Sequence, residues 1–489
     1  MLFEPLFMHA RNHPQDLAMT DDFGQWNYQQ VAAMAAGIGM YLASQTQKPH
    51  VGILLPPSAG FAASFFGTLL AGKSIVPINY LLGDREIAHC IADSGIDTVI
   101  TIPQLAGRLK DHPLKVVDLL QLAQTPPAAI TPKFPSPKAD DLAVLMYTSG
   151  TSGLPKGVML TYGNLQSNVD AAIEHAILQT KHVFLGVIPL FHAFGVTAML
   201  LAPVQLKAPV VYTARFSPVG TIQAIRKHKA SIMFGVPAMY AAILRLESAK
   251  PDEFKEMFAL ISGAEPLPAT VREGFERRFG TRIHEGYGLT ETSPVVTLNT
   301  PMQNKAGSVG KCVPGAEVRI VDDEGKTVGR ETTGEIWLKG PMVMKGYYNL
   351  PKETADVLTA DGYFKTGDLG KIDSEGFLFI TGRKKELIIS AGEKIVPREV
   401  EDVLARHPQV VEVAVVGKKD ASRGEVVIAF VVPKEPTLKA DELRSFCRDQ
   451  GLVQFKVPRE IVLVPELPRS PTGKVLKRVL AEKANASAG

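Results

Sequence analysis

The sequence predicts an α/β protein: a large N-terminal domain of helix-covered sheets with a small β-rich subdomain, followed by a small α+β C-terminal domain. Three observations predict it. Apolar runs of strand length alternate with helix-patterned segments over 50–102 and again over 183–285, the order that produces parallel sheets covered by helices. From 307 to 380 the pattern changes to short alternating segments with Gly and Asp turns, which fits a small β-rich subdomain. Beyond Arg383 it changes again, to two strands and two helices, enough for a separate small domain. Length agrees, because 489 residues exceed one ordinary core. The expected division is 1–384 and 385–489.

In chain order, 50–55 reads as a buried strand, 58–72 as an apolar helix, 74–78 as a strand, 84–93 as a helix and 98–102 as a strand. The stretch 124–140 holds five prolines and reads as a surface connection to the strand-like run 142–146. The alternation then resumes with strands at 183–188, 231–236, 258–262 and 282–285, and helices at 217–228, 237–248 and 268–279. In open sheets of this kind ligands bind beyond the C-terminal strand ends. His192 follows one strand, Gly263, Ala264 and Glu265 another, and Tyr287 to Glu291 a third. In the last part Pro397 opens an amphipathic helix to 405, with Val400, Val403 and Leu404 on one face. Strands at 411–416 and 426–432 and a helix at 439–450 follow, and 484–489, small and polar, are expected to be disordered.

Composition is that of a soluble globular protein, with 45% hydrophobic and 21% charged residues. The apolar runs 31–43 and 59–72 are shorter than the roughly 18 residues a membrane helix needs. No basic segment precedes an apolar one at the start, so a cytoplasmic protein without a transmembrane segment is expected. Cys90, Cys312 and Cys447 lie far apart without metal-ligand spacing. A net charge of +3 does not point to nucleic acid. The surplus sits after 384, where 18 Lys and Arg face 15 Asp and Glu; a basic face there would suit a polyanionic ligand.

The stretch 147–158, Tyr-Thr-Ser-Gly-Thr-Ser-Gly-Leu-Pro-Lys-Gly-Val, has the chemistry of an oxyanion cradle. Gly150, Gly153 and Gly157 let backbone N–H groups turn toward an anion, Thr148, Ser149, Thr151 and Ser152 add neutral donors, and Lys156 brings a mobile positive charge. It is not a Walker loop, since no glycine precedes Lys156 and no Ser or Thr follows it. The stretch resembles the phosphate-binding loop of the adenylate-forming enzymes: acyl-CoA synthetases, luciferases and the adenylation domains of peptide synthetases.

That resemblance covers essentially the whole chain, with the family's motifs in the family's order. Segment 189–195, Pro-Leu-Phe-His-Ala-Phe-Gly, resembles the aromatic motif at the carboxylate pocket, which implies that His192 lies near the substrate carboxylate. Segments 262–268 and 287–291 are similar to those that bracket adenine, α-phosphate and metal. Gly263, Ala264 and Gly288 would leave room for a purine and an acyl chain, Tyr287 could stack on the base, and Thr290 could donate to phosphate. Glu265 falls in the same nucleotide-binding segment. The resemblance makes Glu291 a hard oxygen ligand for Mg2+, with Thr148 near the same ion. Asp368, in 363–369, matches the aspartate that accepts both ribose hydroxyls, and Arg383 would contact the ribose from the other side. Segment 468–474 resembles the loop of the adenylation lysine, which makes Lys474 the first catalytic candidate beside His192. Segment 387–394 resembles the pantetheine channel loop, where Gly392 would leave space for a thiol arm, although a turn glycine would look the same.

The resemblance implies a two-step ligase using ATP, Mg2+ and CoA: an acid is activated to an acyl-adenylate and then passed to CoA. The family turns its mobile C-terminal domain between the steps about a pivot two positions after the conserved arginine, here Lys385. No acidic residue follows Phe194 in Gly-Val-Thr-Ala-Met, where peptide-synthetase domains usually place the partner of an amino group. With Val236, Phe234 and Met239, this points to an apolar acid, fatty more than aryl. The alternatives are a ligase that delivers the acyl group to an acyl carrier protein and, from another class, a catalytically silent acyl-binding protein. Intact Glu291, Asp368, Arg383 and Lys474 argue against the latter.

Overall fold

The computed structural model describes residues 1–124, 134–148, 154–469 and 475–486. The chain forms two compact units: Met1–Ala264 with Phe275–Glu317 and Leu338–Phe364, and Glu265–Gly274 with Val318–Trp337 and Lys365–Gly489. The division expected after residue 384 belongs to the proposed function.

The first unit carries two sheets. In the seven-stranded sheet, His50–Leu54, Ser74–Pro77, Thr98–Thr101 and Lys115–Asp118 run parallel. Leu142–Thr148 joins in parallel beside Ser74–Pro77, and Lys156–Thr161 returns antiparallel to it. In the nine-stranded sheet the parallel interior is Ala259–Ser262, Ile232–Gly235, Phe184–Gly186 and Val210–Tyr212, with Ile283–Gly288 also parallel to its neighbour. Antiparallel strands close both ends: Gly24–Asn27 on one side, Val295–Leu298 and Lys311–Cys312 on the other. The expected parallel sheets are present, and the antiparallel edges are additions that helix–strand alternation does not reveal.

The two apolar runs are helices, the first, Tyr28–Gln45, buried along one face, and the second, Ala59–Leu70; they are capped by Asn27 and Ser58 side chains that accept from Gln30 N–H and Phe61 N–H. The second is apolar all round because it is covered all round: eleven of its residues are buried. No helix among the described residues is long and apolar enough to cross a membrane.

The second unit contains most of a four-stranded sheet formed by Glu317–Val321, Gly334–Lys339, Phe364–Ile372 and Leu378–Arg383. A five-stranded sheet follows, built on the long hairpin Val410–Asp420 and Gly424–Pro433. Alternation along the hairpin sends Val415, Val427 and Ala429 to one core with Val400, Leu404, Leu443 and Cys447. It sends Ala414, Val416, Ile428 and Phe430 to the other with Leu480 and Ala484. That second core explains one correction. Residues 484–486, expected to be disordered, complete helix Lys477–Ala486, because Leu480 and Ala484 bury its apolar side; 487–489 lie outside the described residues.

Candidate active site

Thr148 ends one strand of a hairpin and Lys156 begins the other, and the register pairs the two residues directly. The intervening Ser149, Gly150, Thr151, Ser152 and Gly153 lie outside the described residues. A third strand, Gly346–Tyr347, adds to the hairpin with Tyr347 opposite Val158. This addition brings the Tyr347 ring face to 5.0 Å from the Lys156 Nζ, a cation–π distance. The Tyr347 hydroxyl in turn donates to the Glu291 Oε1 at 2.8 Å.

Glu291 sits in the short turn Thr290–Thr292 that follows strand Ile283–Gly288. Its carbonyl accepts from Met344 N–H at 2.8 Å, and Asn168 Nδ2 donates to the Val295 carbonyl at 2.7 Å. Thr197 Oγ1 donates to the Ser293 carbonyl and Ser293 Oγ to the Met342 carbonyl, so the turn is pinned by buried hydrogen bonds on several sides. Lys156 and Glu291, read from separate segments of the sequence, are thus linked through Tyr347, a residue that was not singled out, and Thr148 joins them as the strand partner of Lys156. Tyr347 escaped notice because its strand is two residues long, too short to show a period. Its partner Glu291 is also 56 positions away. Burial, and then the Glu291 carboxylate, raise the Tyr347 hydroxyl above its ordinary value, so it remains a proton donor.

A hydroxyl at Thr148 and a carboxylate at Glu291 are hard oxygen donors of the kind Mg2+ prefers, and Mg2+ keeps much of its shell from water and phosphate. Among the described residues no group of three or more His, Cys, Asp or Glu side chains could hold a metal by itself. The donors therefore fit Mg2+ bound jointly with phosphate.

The second wall is apolar. His192 ends an extended turn and precedes helix Ala193–Gly195. Burial pushes its imidazole down to about 4, so it is neutral at neutral pH. Phe194 stands edge-on to Phe234 at 5.6 Å between centroids, and a Cβ on Gly263 would lie 3.3 Å from the Phe194 ring. Phe194, Val236 and Met239 are half-buried against the main core, with Phe234 buried in it. Phe194 is thus seated by Gly263, and the expected small residue makes room for an aromatic side chain of the protein itself.

Ala264, next in the chain, has φ +69°, a left-handed conformation that is uncommon for a residue with a side chain. Such backbone persists where the surroundings hold it, often at ligand sites. Gly288 is required sterically, because a Cβ there would run into the Pro294 carbonyl. Tyr287 and Gly288 end their strand half-buried, and Thr290 opens the turn that bears Glu291.

In the second unit, Asp368 and Arg383 face each other across an antiparallel pair and form an ion pair, with Arg383 Nε 2.9 Å from Asp368 Oδ1. The Thr366 Oγ1 accepts from Asp368 N–H at 3.0 Å and donates to the Ile336 carbonyl, which fixes the turn. Glu265 is half-buried at the start of this unit's first segment. Lys385 lies in the single turn Lys384–Glu386 between strands Leu378–Arg383 and Ile388–Ser390. Gly392, with Ala391, forms a two-residue hairpin turn in which both have positive φ, +52° and +87°. A Cβ at Gly392 would meet nothing, so its backbone alone accounts for glycine there. Lys474 lies outside the described residues.

The chain is similar to known proteins. The AMP-binding enzyme family matches residues 6–348, and the AMP-binding enzyme C-terminal domain matches 399–474. A long-chain-fatty-acid–CoA ligase from Bacillus subtilis is 36% identical over 480 residues, covering 89% of this chain and 85% of that one. A sulfoacetate–CoA ligase from Cupriavidus necator is 35% identical over 466 residues, covering 92% and 89%. The solved structure of O-succinylbenzoate coenzyme A synthetase from Bacillus subtilis, in complex with ATP and magnesium ion, superposes with a TM-score of 0.88 at 30% identity, covering 97% and 98%.

Proposed function

The chain belongs to the family of AMP-binding enzymes and is an AMP-forming acid–thiol ligase, and from that premise we propose that its acid is an apolar one, a fatty acid, and its thiol acceptor CoA. The observation that carries the acid assignment is the Phe194–Phe234 aromatic pair, set in the apolar core against which Val236 and Met239 also pack, with Phe194 two residues from a neutral His192. Burying an ammonium there without a partner would be costly, which disfavours amino acids. By name, relatives of similar identity act on long-chain fatty acids and on sulfoacetate, so family membership alone does not choose between them. No observation favours a carrier protein as acceptor.

In the first step a carboxylate oxygen bonds to the α-phosphorus of ATP and the bond to the β-phosphate bridge breaks, giving acyl-adenylate and pyrophosphate. Bound Mg2+ would neutralise charge on the phosphates and on the departing pyrophosphate. Thr148 and Glu291 would hold it, and Lys156 with the backbone and hydroxyls of 149–153 would cradle the phosphates. His192, as a neutral donor, would orient the carboxylate, and Lys474 would stabilise charge growing on the α-phosphate. Tyr287, Gly263, Ala264, Glu265, Gly288 and Thr290 would surround the nucleotide, with Asp368 and Arg383 on its ribose. In the second step the CoA sulfur bonds to the acyl carbon, its proton is released, and AMP leaves; Gly392 would stand beside the thiol arm. We assign residues 385–489 as the part that turns between steps about Lys385, and the cytoplasm as the site of action.

The test is acid-dependent pyrophosphate release across a panel of fatty acids, aryl acids, sulfoacetate and amino acids, with and without CoA. Medium or long fatty acids should give the highest kcat/KM, and acyl-CoA should form in step with AMP. Robust turnover of an amino acid with none of any fatty acid would sink the acid assignment.

A further inference from the structure

We propose that Tyr347 is a positioning residue for the metal step, one side chain that sets both the metal-ligand carboxylate of Glu291 and the phosphate-binding cation of Lys156. The proposal rests on the reading of Glu291 as a Mg2+ ligand.

Three features carry it. The hydroxyl reaches the Glu291 Oε1 at 2.8 Å, and the opposite partner of the same ring is the Lys156 Nζ at 5.0 Å. The side chain is only 8% exposed, so neither contact is shared with bulk water to any extent. The backbone is fixed on both sides: Tyr347 N–H donates to Thr354 Oγ1 at 2.9 Å, Lys345 N–H to the Met159 carbonyl at 3.0 Å, and Tyr348 N–H to the Gly157 carbonyl at 2.7 Å. The backbone anchors fix the point from which the ring projects, and burial with its two contacts restricts the ring itself.

Chemically, a phenol donating to one carboxylate oxygen fixes the plane of that carboxylate, and partners of metal ligands typically carry about 10- to 100-fold in metal affinity or activity. The ring face does a different task for Lys156. It attracts the ammonium without neutralising it, so the cation is held near the loop with its charge intact for phosphate. An Asp or Glu in that place would hold Lys156 as well but would cancel the charge. A tyrosine meets both needs because its donor edge and its negative face point at different partners.

The test separates the two halves. Tyr347→Phe keeps the ring and removes the donor; Tyr347→Leu removes both. Metal binding is read directly by Mn2+ titration, followed by electron paramagnetic resonance, with a non-hydrolysable ATP analogue bound. It is read in turnover by the Mg2+ dependence of pyrophosphate release. Tyr347→Phe should raise the half-saturating metal concentration about 10-fold or more in both assays, with the KM for acid and CoA and the thermal midpoint near those of the parent. Tyr347→Leu should add a rise in nucleotide KM. Glu291→Gln should shift the metal curve, and adding Tyr347→Phe to it should shift the curve little further, since the hydroxyl acts through that carboxylate. A parental metal curve in Tyr347→Phe, with Glu291→Gln shifted, overturns the proposal alone. An unshifted curve in Glu291→Gln overturns the metal assignment and the proposal with it. Equal loss in every constant for Tyr347→Phe, with a lowered thermal midpoint, means a merely structural role and also overturns the proposal.

Discussion

Arg383 Nε lies 2.9 Å from Asp368 Oδ1, an ion pair across paired strands, with the carboxylate 5% exposed and the guanidinium 38% exposed. The aspartate is therefore held in place before any ribose arrives, and a diol would add its donors to an acceptor that is already oriented. Asp368→Ala should raise the KM for ATP about 10- to 100-fold, the range for losing charge-assisted hydrogen bonds worth about 1.5–3 kcal/mol. It should also abolish the preference for ATP over 2′,3′-dideoxy-ATP. If that preference survives in the variant, the ribose assignment fails.

His192 gives a pH prediction. Its imidazole is pushed to about 4 by burial, and His284 to about 4 by burial and then by the Arg282 charge. Adenylation should therefore show no histidine limb near 6.5, because His192 stays neutral through neutral and mildly acidic pH. A limb near 6.5 that His192→Gln removes would contradict this. For stability the sign is set by the unfolded chain, which binds these protons below about 6.5 while the folded one does not until about 4. Both groups favour folding fully above 6.5, and this is lost as pH falls toward 4. Thermal midpoints should fall across that window, less steeply in His284→Gln.

How much of this was legible in the sequence depends on distance along the chain. Strands such as Ile232–Gly235 and helices such as Pro218–His228 declare themselves by local period and by Ser or Pro at their starts. Thr148 and Lys156 were readable because one hairpin holds both. Tyr347 was not, since its contacts with Lys156 and Glu291 exist only once three separate segments are assembled. The antiparallel edges were hidden for a similar reason, because strands as short as Lys311–Cys312 carry no pattern. At Gly263 a second reason for glycine was hidden in the sequence, since its missing Cβ admits the Phe194 ring from another segment.

Lys474 is recognised from its loop in the sequence alone. Lys474→Ala should slow acyl-adenylate formation by about 100-fold or more, the scale of one strong transition-state donor. Conversion of preformed acyl-adenylate by CoA should be largely retained. Equal damage to both half-reactions would remove it from the first step.

The last prediction concerns Lys385. Strand Leu378–Arg383 ends beside Asp368, and strand Ile388–Ser390 begins the sheet of the C-terminal domain, so only the turn Lys384–Glu386 and Leu387 separate the two. Ion pairs brace this junction on both sides: Lys384 Nζ to Glu335 at 3.0 Å, Lys394 Nζ to Asp323 at 2.5 Å, and Lys477 Nζ to Glu386 at 3.2 Å. The exposed pair Lys394–Asp323 contributes little, about 0–1 kcal/mol, and can be exchanged during a motion at small cost, whereas Lys477 is half-buried between Glu386 and Glu401. The backbone torsions of the turn are then what permits rotation, and proline resists them by fixing φ near about −65°. Lys385→Pro should leave adenylation measurable and strongly impair thioester formation, whereas Lys385→Ala should affect both mildly, since the side chain does no chemistry. Asp323→Asn, which loosens the exposed contacts of Asp323 with Lys394 and Lys384 without touching the backbone, should change neither half-reaction by more than a few-fold, in keeping with the small worth of exposed pairs. Single-turnover measurement of pyrophosphate release and acyl-CoA appearance, timed separately, distinguishes these outcomes. Acyl-CoA formation at the parent rate in Lys385→Pro would mean that the pivot lies elsewhere or that no rotation is needed.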